Sequence, residues 1–170
     1  RYSDALTAAD NAVTFRTVVK TIAAGNGLCA DFSPKPLPDQ PGSGFHINMS
    51  VKGPGENRMH HMMGGILRHV SDMTRFLNPS PQSYSRLGVC KAPKYISWSN
   101  NNRSMLIRIP AAAGEYRRVE LRSPDCTANP YLAFALLIWA GLDGIQNEID
   151  LPEKANVNLY TAEPRDIGDM

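Results

Sequence analysis

No two cysteines of this chain stand in Cys-x-x-Cys spacing, and Cys29, Cys90 and Cys126 are its only three. That number and spacing speak against a disulfide scaffold and a zinc knuckle, and a reducing cytoplasm fits best. Long apolar runs are also missing. The most apolar stretch, Tyr131 to Ala140, falls well short of the about 20 residues a bilayer span needs. Neither sign of charge dominates: the net charge is +2, 20% of residues are charged, and the basic ones are spread out. That excludes an evident nucleic-acid or membrane-surface module. Internal repeats and low-complexity segments are absent. So are a starting methionine and a signal peptide, and the opening on Arg1-Tyr2-Ser3 reads as a portion of a longer protein. What remains is room, in 170 residues, for one domain with a proper core.

Apolar spacing organises that domain. Thr7 followed by Asp10 predicts a capped helix start, and Ala12, Phe15, Val19 and Ile22 then recur on one helix face until Gly25-Asn26-Gly27 ends it. Leu28 to Phe32 reads as a short strand, and the prolines at 34, 36 and 38 cannot join a sheet ladder. A second strand should run from Gly44 through Val51, with a turn at Gly53-Pro54-Gly55. Met59, Met62, Ile66, Val70, Met73 and Leu77 predict a core-facing helix whose methionines are packing residues. Gly64-Gly65 inside it costs propensity and implies close contact with another backbone. A short helix is expected around Tyr84, and strands over 95–99 and 104–109. Asn129-Pro130 should start a helix that is apolar on all sides and therefore buried.

The chemistry concentrates between residues 102 and 122, where five arginines surround one glutamate. In an extended chain Arg118, Glu120 and Arg122 share one face, with Val119 and Leu121 on the other. A carboxylate held between guanidinium groups stays ionised and can ligate a metal, while the arginines offer forks for phosphate or carboxylate oxygens. Spacing alone fits equally a solvated sheet face with cross-strand ion pairs, which are common and worth little.

Five motifs in series weigh against that bland reading. They are Lys35-Pro36 leading to Gly42-Ser43-Gly44-Phe45-His46; Phe76-Leu77-Asn78-Pro79 with Ser83-Tyr84-Ser85-Arg86-Leu87; Asn102-Arg103-Ser104 through Ile107-Arg108-Ile109-Pro110; Arg117 to Asp125; and Asn129 to Ala135. In order and spacing the chain resembles the glutamine synthetases over nearly its whole length. The resemblance implies an α+β fold, an antiparallel curved sheet backed by helices, part of the half-barrel shared with guanidino kinases. It makes residues 1–170 the C-terminal portion of the catalytic domain, without the N-terminal small domain and upstream catalytic strands.

The implied reaction joins ammonia to the γ-carboxylate of glutamate through a γ-glutamyl phosphate, with ATP as substrate and Mg2+ or Mn2+ as cofactor. By that likeness His46 and Glu120 are metal ligands. Arg103, Arg108 and Arg118 meet nucleotide phosphates, with Ser50 near the nucleotide. Arg86, Arg122 and Gly42 surround glutamate. His60, His61 and His69 match no functional position, and Tyr160 aligns with a tyrosine that some bacterial members adenylylate. Ring-shaped homo-oligomers are the rule for the family, so the full-length parent is expected to form one. Several positions depart from the pattern. The other metal-binding glutamates would lie upstream of Arg1. Pro41 stands for an asparagine, Asn48 for a histidine, and Lys91, in a flap one residue short, for a proton-accepting glutamate. These leave an amine other than ammonia, or a non-catalytic regulatory paralogue, as alternatives.

Overall fold

In a computed structural model of the chain, the structure describes residues 3–53, 57–112, 114 and 117–162. Pro54 and Gly55 of the expected turn lie outside them. The elements run α1 (Ala5–Gly25), β1 (Ile47–Met49), α2 (Arg58–Leu77), α3 (Pro81–Arg86), β2 (Trp98–Asn100), β3 (Ile107–Ile109), β4 (Val119–Leu121) and α4 (Pro130–Gln146). The strands form one open sheet in the order β1-β4-β3-β2. β1 and β3 both flank β4 antiparallel, and β2 joins β3 in parallel. This edge pair departs from a purely antiparallel sheet. Its connection, residues 101–106, is far shorter than the usual parallel crossover, and Asn101 at φ 57 begins the reversal.

Alternation divides the sheet into two faces. Ile47, Ile107 and Leu121 sit opposite one another across three strands, and with Val119 they face a core shared with α2 and α4. From α2, the six predicted residues Met59, Met62, Ile66, Val70, Met73 and Leu77 are all buried there. The glycine pair behaves as its cost implied. A Cβ on Gly65 would collide with the Ala140 carbonyl and stand 2.6 Å from the Gly144 backbone, so the two helices touch main chain to main chain. Gly64 in the same way admits the Ile149 carbonyl.

Four expectations need correction. The first helix begins earlier, because Asp4 rather than Thr7 is its cap and accepts from the Thr7 amide at 3.0 Å. Its inward side is Ala9, flanked by partly buried Ala12, Val13, Arg16 and Val19; Phe15 and Ile22 are 63% and 61% exposed. Residues 28–32 form no strand. Finally, α4 is not buried all round. Asn129 and Pro130 start it as expected, but Ile138, Trp139 and Leu142 are exposed.

Candidate active site

β4 carries Glu120 at the middle of the sheet's polar face. Register puts Asn48 of β1 on one side of it and Arg108 of β3 on the other, with Ser99 of β2 beyond Arg108. The result is a row, Asn48–Glu120–Arg108–Ser99, across all four strands. Glu120 is 7% exposed, so a solvated face is ruled out. Its Oε2 accepts from Arg108 Nε at 2.7 Å and from Arg122 Nη1 at 3.0 Å. Burial would by itself raise the Glu120 carboxyl pKa. The bond and charge of Arg122, then Arg108 and His46, outweigh it and hold the group below its ordinary range.

His46 lies one residue before β1, and its Nδ1 stands 3.4 Å from Glu120 Oε1. Burial, chiefly, and the nearby Arg122 charge push the imidazole pKa down, against the opposite pull of Glu120. A neutral ring beside an ionised carboxylate is the donor pair a divalent cation uses. The fit is specific. Both arginines bond Oε2, and Oε1 faces the histidine. Gly44 keeps the ring's other side open, since a Cβ there would come within 2.8 Å of His46 Nε2. Among the described residues no group of three or more His, Cys, Asp or Glu could hold a metal ion, so the chain offers a two-ligand corner.

The remaining candidates divide by burial. Arg122 is 4% exposed and donates from Nε to the Arg103 carbonyl at 3.1 Å and from Nη2 to the Lys91 carbonyl at 3.1 Å, besides its bond to Glu120. Arg86 is 2% exposed, and its terminal nitrogens donate to the carbonyls of Arg122, Ser123 and Pro124. Arg86, expected on the glutamate carboxylates, here braces the main chain that follows β4. Gly42 makes room for it, as a Cβ there would meet Arg86 Cγ at 2.8 Å. Arg118 donates to Asn48 Oδ1 at 3.1 Å, which gives the unexpected Asn48 a partner on the polar face. The Arg103 side chain is exposed on the 101–106 loop, and Ser50 is exposed at the rim of a cleft of about 440 Å³ shared by β1 and α4.

Lys91 lies in a tight turn, residues 88–92, closed by Gly88 N–H to the Ala92 carbonyl at 3.2 Å, with Gly88 and Cys90 at positive φ. The Lys91 side chain is exposed; only its backbone reaches the site. Away from this face, His61 bonds the Ile149 carbonyl and His69 pairs with Asp143 at 2.8 Å, structural contacts between α2 and the α4 region. Sequence reasoning missed Ser99 because its membership depends on the parallel β2–β3 register, which no local pattern encodes.

Helices behind an open sheet, with arginines gathered on its front around one carboxylate and one imidazole, make this an α+β domain. The chain belongs to the glutamine synthetase catalytic domain family, whose model ("Glutamine synthetase, catalytic domain") matches residues 1–170. It is 48% identical over 174 residues to a glutamine synthetase of Methanosarcina mazei, covering 94% of this chain and 39% of that protein. With a glutamine synthetase of Pyrococcus furiosus it shares 45% over 171 residues, at the same 94% and 39% coverage. Among solved structures it is similar to GmaS without ligand, with TM-score 0.84, 35% identity, and coverage of 96% of this chain and 41% of that one. A GmaS/ADP complex is equally similar, at TM-score 0.84 and 35% identity, covering 95% and 41% of the two chains. The chain thus spans about two fifths of the length of these relatives. Among the described residues no helix is long and apolar enough to cross a membrane.

Proposed function

We propose that this chain supplies one wall of the active site of an ATP-dependent γ-glutamyl ligase that joins ammonia to glutamate through a γ-glutamyl phosphate. The observation that carries the reading is Glu120, buried, ionised and clamped by Arg108 and Arg122 with one oxygen facing His46. His46 and Glu120 would hold Mg2+ or Mn2+, which when bound offsets the charge of nucleotide phosphate oxygens. Arg103 and Arg118, with Arg108 behind them, stabilise the charge that spreads over the phosphoryl oxygens in transfer. Ser50 lies toward the nucleotide, and the ADP bound by GmaS supports nucleotide use here. Gly42, Arg86 and Arg122 shape the glutamate subsite, Arg86 by fixing the backbone from beneath. A cytoplasmic, ring-shaped homo-oligomer of the longer protein is the assembly this reading takes. The 170-residue chain alone, with two candidate metal ligands among its described residues, should make no glutamine.

In the full-length protein Glu120→Ala should lower the rate of γ-glutamyl phosphate formation about 10²-fold or more, the scale of losing one preorganised electrostatic contact. Mn2+ titration by electron paramagnetic resonance should show one site weakened. Near-wild-type activity with unchanged Mn2+ binding would reject the assignment.

Lys91 gives a second reading to test, in which the acceptor is a neutral or docked amine; its side chain is exposed and would have to turn toward the site to act. A lysine ammonium repels ammonium and offers no base where a carboxylate would attract the cation and take its proton. Lys91→Glu in the full-length protein, assayed with ammonia and a panel of primary amines, should raise the preference for ammonia by several-fold, about 1 kcal/mol for one partly screened charge reversal. Efficient use of ammonia by the wild type, with no shift in the variant, leaves the first reading standing alone.

A further inference from the structure

One backbone oxygen joins three parts of the molecule that are distant in sequence. The Arg103 carbonyl accepts from Arg122 Nε at 3.1 Å and from the Tyr160 hydroxyl at 2.6 Å. Through its other nitrogens the same Arg122 holds Glu120 Oε2 and the Lys91 carbonyl of the 88–92 turn. Tyr160 therefore shares one acceptor with a guanidinium that touches both the candidate metal ligand and the turn.

The segment that brings Tyr160 there is laid down contact by contact. The Ala155 amide donates to the Trp98 carbonyl at 3.1 Å, and the Trp98 indole donates to the Pro152 carbonyl at 2.8 Å. Asn102 Nδ2 donates to the Val157 carbonyl at 2.9 Å, while the Leu159 amide donates to Ser104 Oγ at 3.0 Å. Ala155 and Leu159 pack on the fully buried Met105. Residues 152–160 thus form a strap along β2 and over the 101–106 loop. Bonds that hold this strap fall on the 101–106 loop, which carries Arg103.

We infer that the C-terminal strap, through the Tyr160 hydroxyl, is a positioning element that fixes the Arg103 carbonyl and thereby sets Arg122, the 88–92 turn and Glu120 together. The energetic logic is that of a shared acceptor. A carbonyl with two lone pairs serves two donors, and the hydroxyl bond stops the loop from rotating that oxygen away from Arg122. Without it, a nearly buried guanidinium depends on a loop oxygen restrained from one side only, and an underused buried donor is costly. The catalytic part of this inference rests on the ligase reading; the mechanical part does not.

The test is hydrogen–deuterium exchange of the full-length protein carrying Tyr160→Phe, with Tyr131→Phe as control. Tyr131 also donates a 2.6 Å hydroxyl bond, to Asp10, but far from this junction. Tyr160→Phe should speed exchange at residues 88–92 and 102–105 about fivefold, the scale of one lost hydrogen bond, while the α2–α4 core stays protected. Tyr131→Phe should leave both segments unchanged. In the ligase assay Tyr160→Phe should lower kcat several-fold with less than a twofold change in either KM, because a displaced clamp impairs the transition state more than ground-state binding. Unchanged exchange at 88–92 overturns the inference whatever the activity. Faster exchange with no ligase activity in the wild type keeps the linkage and rejects the proposed reaction instead.

Discussion

α1 and α2 are nearly equal in length, 21 and 20 residues, and both carry apolar side chains at helical spacing, yet they meet opposite fates. Ten residues of α2 are buried; in α1 only Ala9 is. The difference lies in what stands opposite. α2 faces α4 at glycine-to-glycine distance on one side and the sheet on the other, so its whole apolar stripe is enclosed. α1 meets the domain along a line of small residues, and Arg16 reaches past them to the Cys126 carbonyl at 2.6 Å. Its larger side chains, Leu6, Phe15, Val18 and Ile22, turn outward. Periodicity states which residues share a face. It does not state whether that face has a partner.

Parting α2 from α4 should cost the most. Gly65→Ala gains about 1 kcal/mol of helix propensity. Against that, its new Cβ enters the Ala140 carbonyl and the Gly144 backbone, atoms that cannot turn aside as a side chain would. Overpacking of this kind outweighs the gain, with a net loss of about 3 kcal/mol or more expected in urea unfolding. A neutral or stabilised variant would mean the helices sit farther apart than described.

Next in size is Ile66→Ala. Ile66 is fully buried between α4 and the sheet, so truncation removes transfer free energy and leaves a cavity, at a cost of about 2–5 kcal/mol. A loss below about 1 kcal/mol in the same unfolding experiment would show that the site collapses and that α2 is less enclosed than its burial indicates.

The same distinction governs how much was legible in the sequence. Met59 through Leu77 announced a core helix, and Gly64-Gly65 announced a backbone contact, because both signals are local and their energetic reasons are fixed by residue type. Glu120, Arg122 and Arg108 were found as a charge constellation, and pairing Glu120 with His46 required the family likeness. Three things escaped. Residues 28–32 have strand composition but no hydrogen-bonding neighbour among the described elements, and a strand without a partner does not form. The three carbonyls after β4 that enclose Arg86 had no local signal, since tertiary packing sets that arrangement. Ile138, Trp139 and Leu142 on α4 read as buried from composition alone, yet they stay exposed, Trp139 even with its ring centroid 4.6 Å from that of His69 on α2.

The smallest effect is expected on the outer face of α1. Phe15 sits on α1 as Ile66 does on α2, a large apolar side chain at a periodic position. In Phe15→Ala the lost contact is an edge-to-face approach to Phe32, with centroids 6.4 Å apart, worth about 0.5–1.5 kcal/mol. The ring is 63% exposed, so little apolar area is newly uncovered and no enclosed cavity remains. Alanine is also the better helix former by about half a kcal/mol. These terms nearly cancel, and the net loss should be below about 1 kcal/mol, several-fold less than at Ile66. Chemical denaturation of the two variants side by side reads the ratio directly. If Phe15→Ala costs as much as Ile66→Ala, the outer face of α1 is packed in solution, and the contrast between the helices is one of partners still to be counted and not of burial.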